Sequence, residues 1–577
     1  MKNTYPRPQL KREQWQNLNG SWQLAFDDRN RGLKERWYEK TTLPDNMTIE
    51  VPFSVQSELS GVADKDDHPI IWYARTFDVA MDHPRIILNV GAIDYEADIF
   101  INGAHVKHHR GGHVSFSVDI THVVKEKDNT IHIRVYDDMH DIEIPRGKQY
   151  WKSESENIFY TRTSGIWQTI WLEAVPRTYI KRVKMIPDIL TNTIKIGFYL
   201  NRAAQATLKT TITYQGDPVV ETEKKLDVDY YETVCFLGKS NDQDDKRLWT
   251  PEHPNLYDVV FNLKTDEGTD VVESYFGMRK ISIEKGQVML NNRPYYMKLV
   301  LDQGYYPGGL LTSPNDDAIK NDIELTKQMG FNGVRKHQKI EEERYLYHAD
   351  RLGLLVWEEM PSAYKFSSKT MKNLTDEWQR AIDRDFNHPA IVAWVPINES
   401  WGVPNLISNE REVHFLEALY HLTKAKDDTR LVISNDGWEH GTTDLLTIHD
   451  YEADERVLRR RYENIDNILS SIPGHHLLYN AGFQHQGEPI MVTEFGGISY
   501  QNAKQAGWGY SSAENDDDFI ARLKAVFKPL YASDHVQGVC YTQLTDIEQE
   551  INGLLTFDRQ PKVPLKTIKA IVNNEND

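Results

Sequence analysis

The sequence predicts a three-part chain: an N-terminal β-sandwich, an immunoglobulin-like β-sandwich and a C-terminal (β/α)8 barrel. Three observations carry this. The chain has 577 residues, more than one hydrophobic core can serve, so about three or four domains are expected. Up to about residue 281 the apolar runs are short, loosely alternating and divided by turn signals. Beyond Ile281 strand-like runs alternate with amphipathic helical ones, and eight strand candidates fit the length of a single barrel.

Bulk composition narrows the classes of function. A formal net charge of −19 argues against nucleic acid or an anionic membrane as partner. The two cysteines, Cys235 and Cys540, exclude a disulfide framework. The start, Met1 to Pro6, lacks an apolar signal core, and no apolar run reaches the roughly 20 residues of a membrane span. A cytoplasmic enzyme is the expectation.

Residues 1–178 read as all-β, with strands at Ile86 to Val90, Ala97 to Ile101, Ser115 to Val118, Thr130 to Tyr136 and finally Trp167 to Glu173. Asn102-Gly103 has the residues of a two-residue hairpin turn, since both tolerate positive φ. Residues 179–281 repeat the pattern at Thr207 to Tyr214, Glu232 to Leu237, Asp258 to Leu263 and Val271 to Phe276, with the polar tract Lys239 to Lys246 as an exposed loop. Residues 282–577 carry the barrel. Its strands are expected at Tyr295 to Leu301, Gly333 to Lys336, Leu354 to Glu358, Ile391 to Ile397, Leu431 to Ser434, Leu445 to Ile448, Ile490 to Thr493 and Gln537 to Tyr541. The first helix opens at Ser313-Pro314, lines one face with Ile319, Ile323 and Met329, and closes at Gly330.

Barrels place their chemistry where the strands end. Those ends deliver Asp302, Arg335, His337, Trp357, Glu358, Asn398, Glu399, His449, Tyr451, Glu494 and Tyr541, with Trp401 just beyond. So many hydrogen-bonding groups on one rim suit a sugar, and Trp357, Trp401, Tyr451 and Tyr541 offer faces for a ring to stack on. Blander readings stay open for most of them: Glu358 as a rim charge, Arg335 as an internal counter-ion, the tryptophans as core. Glu399 and Glu494 differ, because each ends an apolar strand where an unpaired charge is costly. Two such carboxyls are what a retaining glycosidase requires: one protonated to serve the leaving oxygen, one ionised to attack the anomeric carbon, about 5–5.5 Å apart. A nearby arginine would favour the ionised partner. Competing motifs are absent: no Gly-x-Ser-x-Gly elbow, no P-loop, and no ligand-spaced companions around His337 or His388. Asp516 to Asp518 read as a helix start. No cofactor or metal is expected.

Several motifs resemble glycoside hydrolase family 2. Thr163-Ser164-Gly165-Ile166-Trp167 is similar to the family's junction signature, Gly330-Phe331-Asn332-Gly333-Val334-Arg335 to its second-strand motif, Asn398-Glu399 to its acid/base motif and Thr493-Glu494-Phe495-Gly496 to its nucleophile motif. The resemblance spans the chain and implies a jelly-roll sugar-binding domain, an immunoglobulin-like domain and a catalytic barrel. It implies Glu399 as acid/base, Glu494 as nucleophile and Asn398 as a partner of the sugar 2-hydroxyl. The family's β-glucuronidases read the uronate with an Asn-x-Lys motif; the matching positions here are Glu550-Ile551-Asn552. An Asp that holds sugar hydroxyls in the large β-galactosidases is matched by Phe159. The expectation is a retaining exo-β-glycosidase acting on terminal neutral sugars, β-galactosidase-like, with a β-glucuronidase-like hydrolase as the alternative. A non-catalytic carbohydrate-binding barrel is the reading from another class. The partner is a carbohydrate, and a homo-oligomer is compatible with it.

Overall fold

The computed structural model describes residues 4–44, 47–79, 84–238, 247–500 and 507–575. The expected polar loop from Lys239 to Lys246 lies outside the described residues.

The first unit is a sandwich of a four-stranded and a six-stranded antiparallel sheet. Asn129–Tyr136 pairs on one side with Ile70–Phe77 and on the other with Glu96–Ile101. Its Ile131, Ile133 and Val135 enter the core with Leu24, Leu88 and Ile170, as a period of two dictates. The Asn102-Gly103 turn forms as expected, with φ of 51° and 82°. The strand expected from Trp167 to Glu173 begins only at Ile170, and a separate two-residue strand precedes it. Gly165–Ile166 pairs with Ile93–Asp94, and Ile170–Val175 pairs with Arg85–Val90. Trp167 leaves the ladder between them, and its indole N–H donates to the Gly112 carbonyl at 2.8 Å. The second unit packs a three-stranded sheet on a four-stranded one around Phe198, Phe261 and Ile212.

The third unit is the barrel. Its strands are β1 (Met297–Asp302), β2 (Gly333–Lys336), β3 (Leu355–Glu359), β4 (Ile391–Val395), β5 (Leu431–Val432), β6 (Leu446–Asp450), β7 (Ile490–Gly496) and β8 (Val536–Thr542). They form one parallel sheet in the order β5-β4-β3-β2-β1-β8-β7-β6. The helices are α1 (Asp316–Gln328), α2 (Glu343–Leu352), α3 (Ser368–Asp385), α4 (Glu410–Lys426), α5 (Glu455–Arg461), α6 (Ile465–Leu469), α7 (Asp516–Tyr531) and α8 (Leu565–Val572). Helix α1 begins two residues after the expected Pro314. The Asn315 side chain caps it by accepting from Ala318 N, Asp316 and Asp317 favour its positive end, and Gly330 follows at φ 91°. Helix α7 likewise starts on Asp516 to Asp518, capped by Asn515.

One βα unit departs from expectation. Strand β5 has two residues, and no helix joins it to β6 among the described residues. The segment Ile433 to Leu445 is rich in Asn, Asp, Gly and Thr and lacks an apolar helical stripe. The ladder therefore stays open between β5 and β6. Asp444 bridges it: its N–H donates to Val432 O at 2.9 Å, and its Oδ2 accepts from Val432 N at 2.8 Å. No described helix is long and apolar enough to cross a membrane. Cys235 and Cys540 are free and buried.

Candidate active site

Glu399 lies in the turn after β4, and Glu494 lies within β7. The turn is unusual, since Glu399 and Ser400 both adopt left-handed backbone, at φ 51° and 58°. Such conformations persist only when neighbours fix them. Here Glu399 N donates to Asp436 O at 3.0 Å, Ser400 N donates to Asn435 Oδ1 at 2.9 Å, and Ser400 Oγ donates to Glu439 Oε2 at 2.6 Å. The loop that replaces the helix after β5 thus holds Glu399 in place.

Arg335, from β2, is the electrostatic hub and is fully buried. Its guanidinium lies 2.8 Å from Glu359, 2.9 Å from Asp436 and 2.9 Å from Glu494 Oε1, and donates to Asn398 Oδ1 at 2.7 Å. Burial opposes its charge, but Asp436, Glu359 and Glu494 raise its pKa well above the ordinary value. Glu494 Oε2 accepts from the Tyr451 hydroxyl at 2.6 Å. Tyr451 in turn stacks on Tyr510, with ring centres 3.4 Å apart. Glu494 is therefore tied by a guanidinium on one oxygen and a phenol on the other. Asn398 presents its carbonyl to Arg335, while its Nδ2 has no partner among the described residues.

His449 stands between the two glutamates. Its Nδ1 is 2.7 Å from Glu399 Oε1 and 3.5 Å from Glu494 Oε2, and its Nε2 is 3.2 Å from Asp436 Oδ2. One donor atom each from Glu399, His449 and Glu494 all lie within 4.8 Å of one another. This is also a metal-cluster spacing, but both ring nitrogens of His449 face carboxylates, and we read the trio as a proton network. Burial lowers the affinity of His449 for its proton. Glu494, Asp436 and Glu399 outweigh that and lift its pKa to about 10. Burial would raise Glu399, but the hydrogen bond and charge of His449, followed by Lys148, hold it at about 2. His449 thus favours the carboxylate form of Glu399, so the proton that the expected acid must deliver has to reach Glu399 from a neighbour.

The other predicted residues divide sharply. Trp401 flanks Glu399 and meets Tyr364 and Phe159 edge-on, at 5.1 and 6.4 Å. His337 is buried against Glu359 at 2.8 Å. Burial, Lys148 and Arg335 keep its ring neutral, so this contact is not an ion pair. Asp302, Trp357, Glu358 and Tyr541 do not line the site. Asp302 accepts from Lys336 Nζ at 2.6 Å, on the opposite side of the strand pair from Arg335. Trp357 has no exposed surface and belongs to the barrel core. Glu358 faces Asp385 and Arg384 at the end of α3, where burial and the Asp385 carboxylate push its pKa well up. Tyr541 packs against Phe527 of α7, with rings 5.7 Å apart. For Asp302, Glu358 and Tyr541 a neighbour at the same strand end occupies the inner face, whereas Trp357 shares the inner face with Arg335 and Glu359 but is packed into the barrel core.

Lys148, Tyr150, Trp151, Tyr160 and Tyr364 were not singled out from sequence, whereas Glu550, Asn552 and Phe159, which they join, were. Tyr160, from the first unit, donates to Glu550 and accepts from Gln303 Nε2, which lies 2.6 Å away. Glu550 also accepts from Asn552 Nδ2 at 2.9 Å. Lys148 is buried beside them; its backbone carbonyl accepts from Tyr160 N at 2.9 Å. Burial raises the pKa of Glu550, and Lys148 is the first charge to offset it. Tyr150, Trp151 and Phe159 continue the Trp401–Tyr364 cluster as an aromatic wall. These residues meet across units, so no local spacing in the sequence announces them.

Models of glycosyl hydrolases family 2 match three consecutive stretches. The sugar binding domain matches residues 15–176, the family's middle model 178–279 and the TIM barrel domain 281–576. The chain is 25% identical to a β-glucuronidase of Mus musculus over 529 residues, covering 83% of this chain and 77% of that protein. It is 23% identical to a β-glucuronidase of Paenibacillus borealis over 616 residues, covering 98% of each. A solved β-glucuronidase of Ruminococcus gnavus, in complex with C6-substituted uronic isofagomine, has the same fold: TM-score 0.79 at 19% identity, over 99% of both chains. These relatives speak for the alternative sugar reading, β-glucuronidase-like, over the β-galactosidase-like one.

Proposed function

Because this chain belongs to glycoside hydrolase family 2, we propose that it is a retaining exo-β-glycosidase in which Glu494 attacks the anomeric carbon and Glu399 serves the glycosidic oxygen. One observation carries the mechanism: carboxylate oxygens of Glu399 and Glu494 lie within 4.8 Å. That fits direct displacement, for which carboxyl groups about 5–5.5 Å apart are usual. Arg335 and Tyr451 each hold one oxygen of Glu494, aiming the carboxyl for attack. Asn398, anchored through its carbonyl, keeps Nδ2 available to donate to a sugar hydroxyl. The test is Glu494→Gln. It is expected to lower kcat for an aryl β-glycoside by at least about 10³-fold; unchanged turnover overturns the nucleophile assignment.

β-Glucuronides are the first sugar class to assay, because the relatives are β-glucuronidases. A second reading, neutral β-glycosides of the β-galactoside type, rests on Glu550. A buried carboxylate at that position repels a uronate while ionised. Lys148 supports the first reading, since it brings a cation to the same corner. A panel of nitrophenyl β-glucuronide, β-galactoside and β-glucoside separates the two. The double variant Glu550→Asn with Asn552→Lys removes the carboxylate and adds a cation. It should raise the kcat/KM ratio of glucuronide to galactoside by about 10-fold or more, the scale of one gained charged hydrogen bond. An unmoved ratio places the sugar's C6 end elsewhere.

A further inference from the structure

We propose that His449 is the resting carrier of the proton that Glu399 delivers, a positioning residue acting through the acid/base rather than on the substrate. The inference rests on the glycosidase reading above and adds a third member to its pair of carboxyls. Its basis is geometric. The ring is held on every side: Glu399 and Glu494 face Nδ1 at 2.7 and 3.5 Å, Asp436 faces Nε2 at 3.2 Å, and Arg335 Nη1 lies 3.5 Å from Nε2. The Trp438 ring meets it edge-on at 5.5 Å. Behind it is Gly437, at φ 107°, where a Cβ would come within 2.6 Å of the imidazole. The ring has no room to turn away from Glu399.

Charge accounting points the same way. Among the described residues, Arg335 is the one cation in direct contact with all three of Glu359, Asp436 and Glu494. Adding an ionised Glu399 with no further proton would leave closely spaced like charges in a buried site. A proton on His449 is shared along an existing 2.7 Å hydrogen bond. In the first half-reaction this Nδ1 proton crosses to Glu399, and the carboxylic acid turns to the glycosidic oxygen. Glu494 forms its bond to the anomeric carbon as the carbon–oxygen bond breaks, and the departing oxygen takes the proton. His449 is left neutral, its Nε2–H on Asp436, just as Glu494 loses its charge by becoming an ester. In the second half-reaction Glu399 takes a proton from the attacking water, the ester bond breaks, Glu494 regains its charge, and the proton returns to Nδ1. The trio carries one net negative charge at rest and one in the glycosyl-enzyme, so neither half-reaction changes the charge of the buried site.

The experiment uses the full chain and the aryl β-glycosides of whichever sugar the wild type hydrolyses best. If the wild type hydrolyses none, the glycosidase reading itself fails. Given turnover, His449→Asn and His449→Gln are compared with wild type on dinitrophenyl and phenyl leaving groups across pH. The loss of kcat/KM with phenyl should exceed the loss with dinitrophenyl by about 10²-fold, since the better leaving group needs little protonation. The alkaline limb of the pH profile should move to lower pH. Equal losses with both leaving groups and an unmoved limb overturn the proposal. A readout independent of activity guards against a misfolded variant. Nitrogen-15 NMR of histidine-labelled wild type should find His449 as an imidazolium at pH 8, whereas a neutral ring there sinks the idea.

Discussion

At the level of single residues, the two glutamates were legible because each interrupts an apolar strand with a charge. Asp302, Glu358 and Tyr541 were misplaced for a simple reason, while Trp357 faces inward but is sealed in the core. A strand end offers two faces, and only alternate side chains look into the barrel. Pairing decides which: Arg335 looks inward to Glu494, while its neighbour Lys336 meets Asp302 in the helix layer. Protonation was the less legible part, since it depends on His449 lying between residues 50 and 45 positions away in the chain. It has a measurable consequence. The folded-state pKa of His449 is raised to about 10, so its contribution to stability is full below about 6.5 and is lost as pH rises through about 10. Wild-type stability should therefore fall between pH 7 and pH 10 at up to about 1.4 kcal/mol per pH unit more steeply than that of His449→Asn. Parallel denaturation curves for the two proteins over that range would exclude it.

At the level of elements, the eight strands were readable from short β-branched runs ended by polar residues, although boundaries moved by a few positions. The fifth unit was not. Leu431 to Ser434 looks like the other strands, yet only Leu431–Val432 pairs, and the helix that should follow is replaced by a loop. That loop supplies Asp436 to Arg335 and His449, and Asn435 and Glu439 to the Glu399 turn. A regular helix would have directed its side chains to the outer layer instead. The open seam depends on Asp444, which also takes the Tyr420 hydroxyl at 2.8 Å and pairs with Lys424. Asp444→Ala should destabilise the fold by about 2–4 kcal/mol through unpaired buried groups. Its effect on KM should be small, because the residue lies outside the pocket. A stability unchanged by the substitution would mean that the seam is held elsewhere.

For the whole molecule, the succession of two sandwiches and a barrel was written in the change of hydrophobic rhythm near residue 281. How the units meet was not, because those contacts join positions hundreds of residues apart. Tyr364 donates to Gly147 O, Ser362 O accepts from Arg146 N at 3.0 Å, and Gln549 Nε2 donates to Phe159 O at 3.0 Å. The first unit thereby carries Trp151 and Phe159 to the mouth of the site beside Trp401. Trp151→Ala should raise KM for large aromatic aglycones by about 5- to 30-fold, the worth of one or two kcal/mol of stacking, with little change for a methyl glycoside. Equal effects on both would remove the wall from aglycone binding. This division of labour has an evolutionary corollary. The bond-breaking apparatus is encoded in one half of the gene and part of the surface that greets the departing group, Trp151 and Phe159, in the other. Drift at Trp151 and Phe159 can therefore retune what the enzyme releases while the displacement chemistry stays fixed.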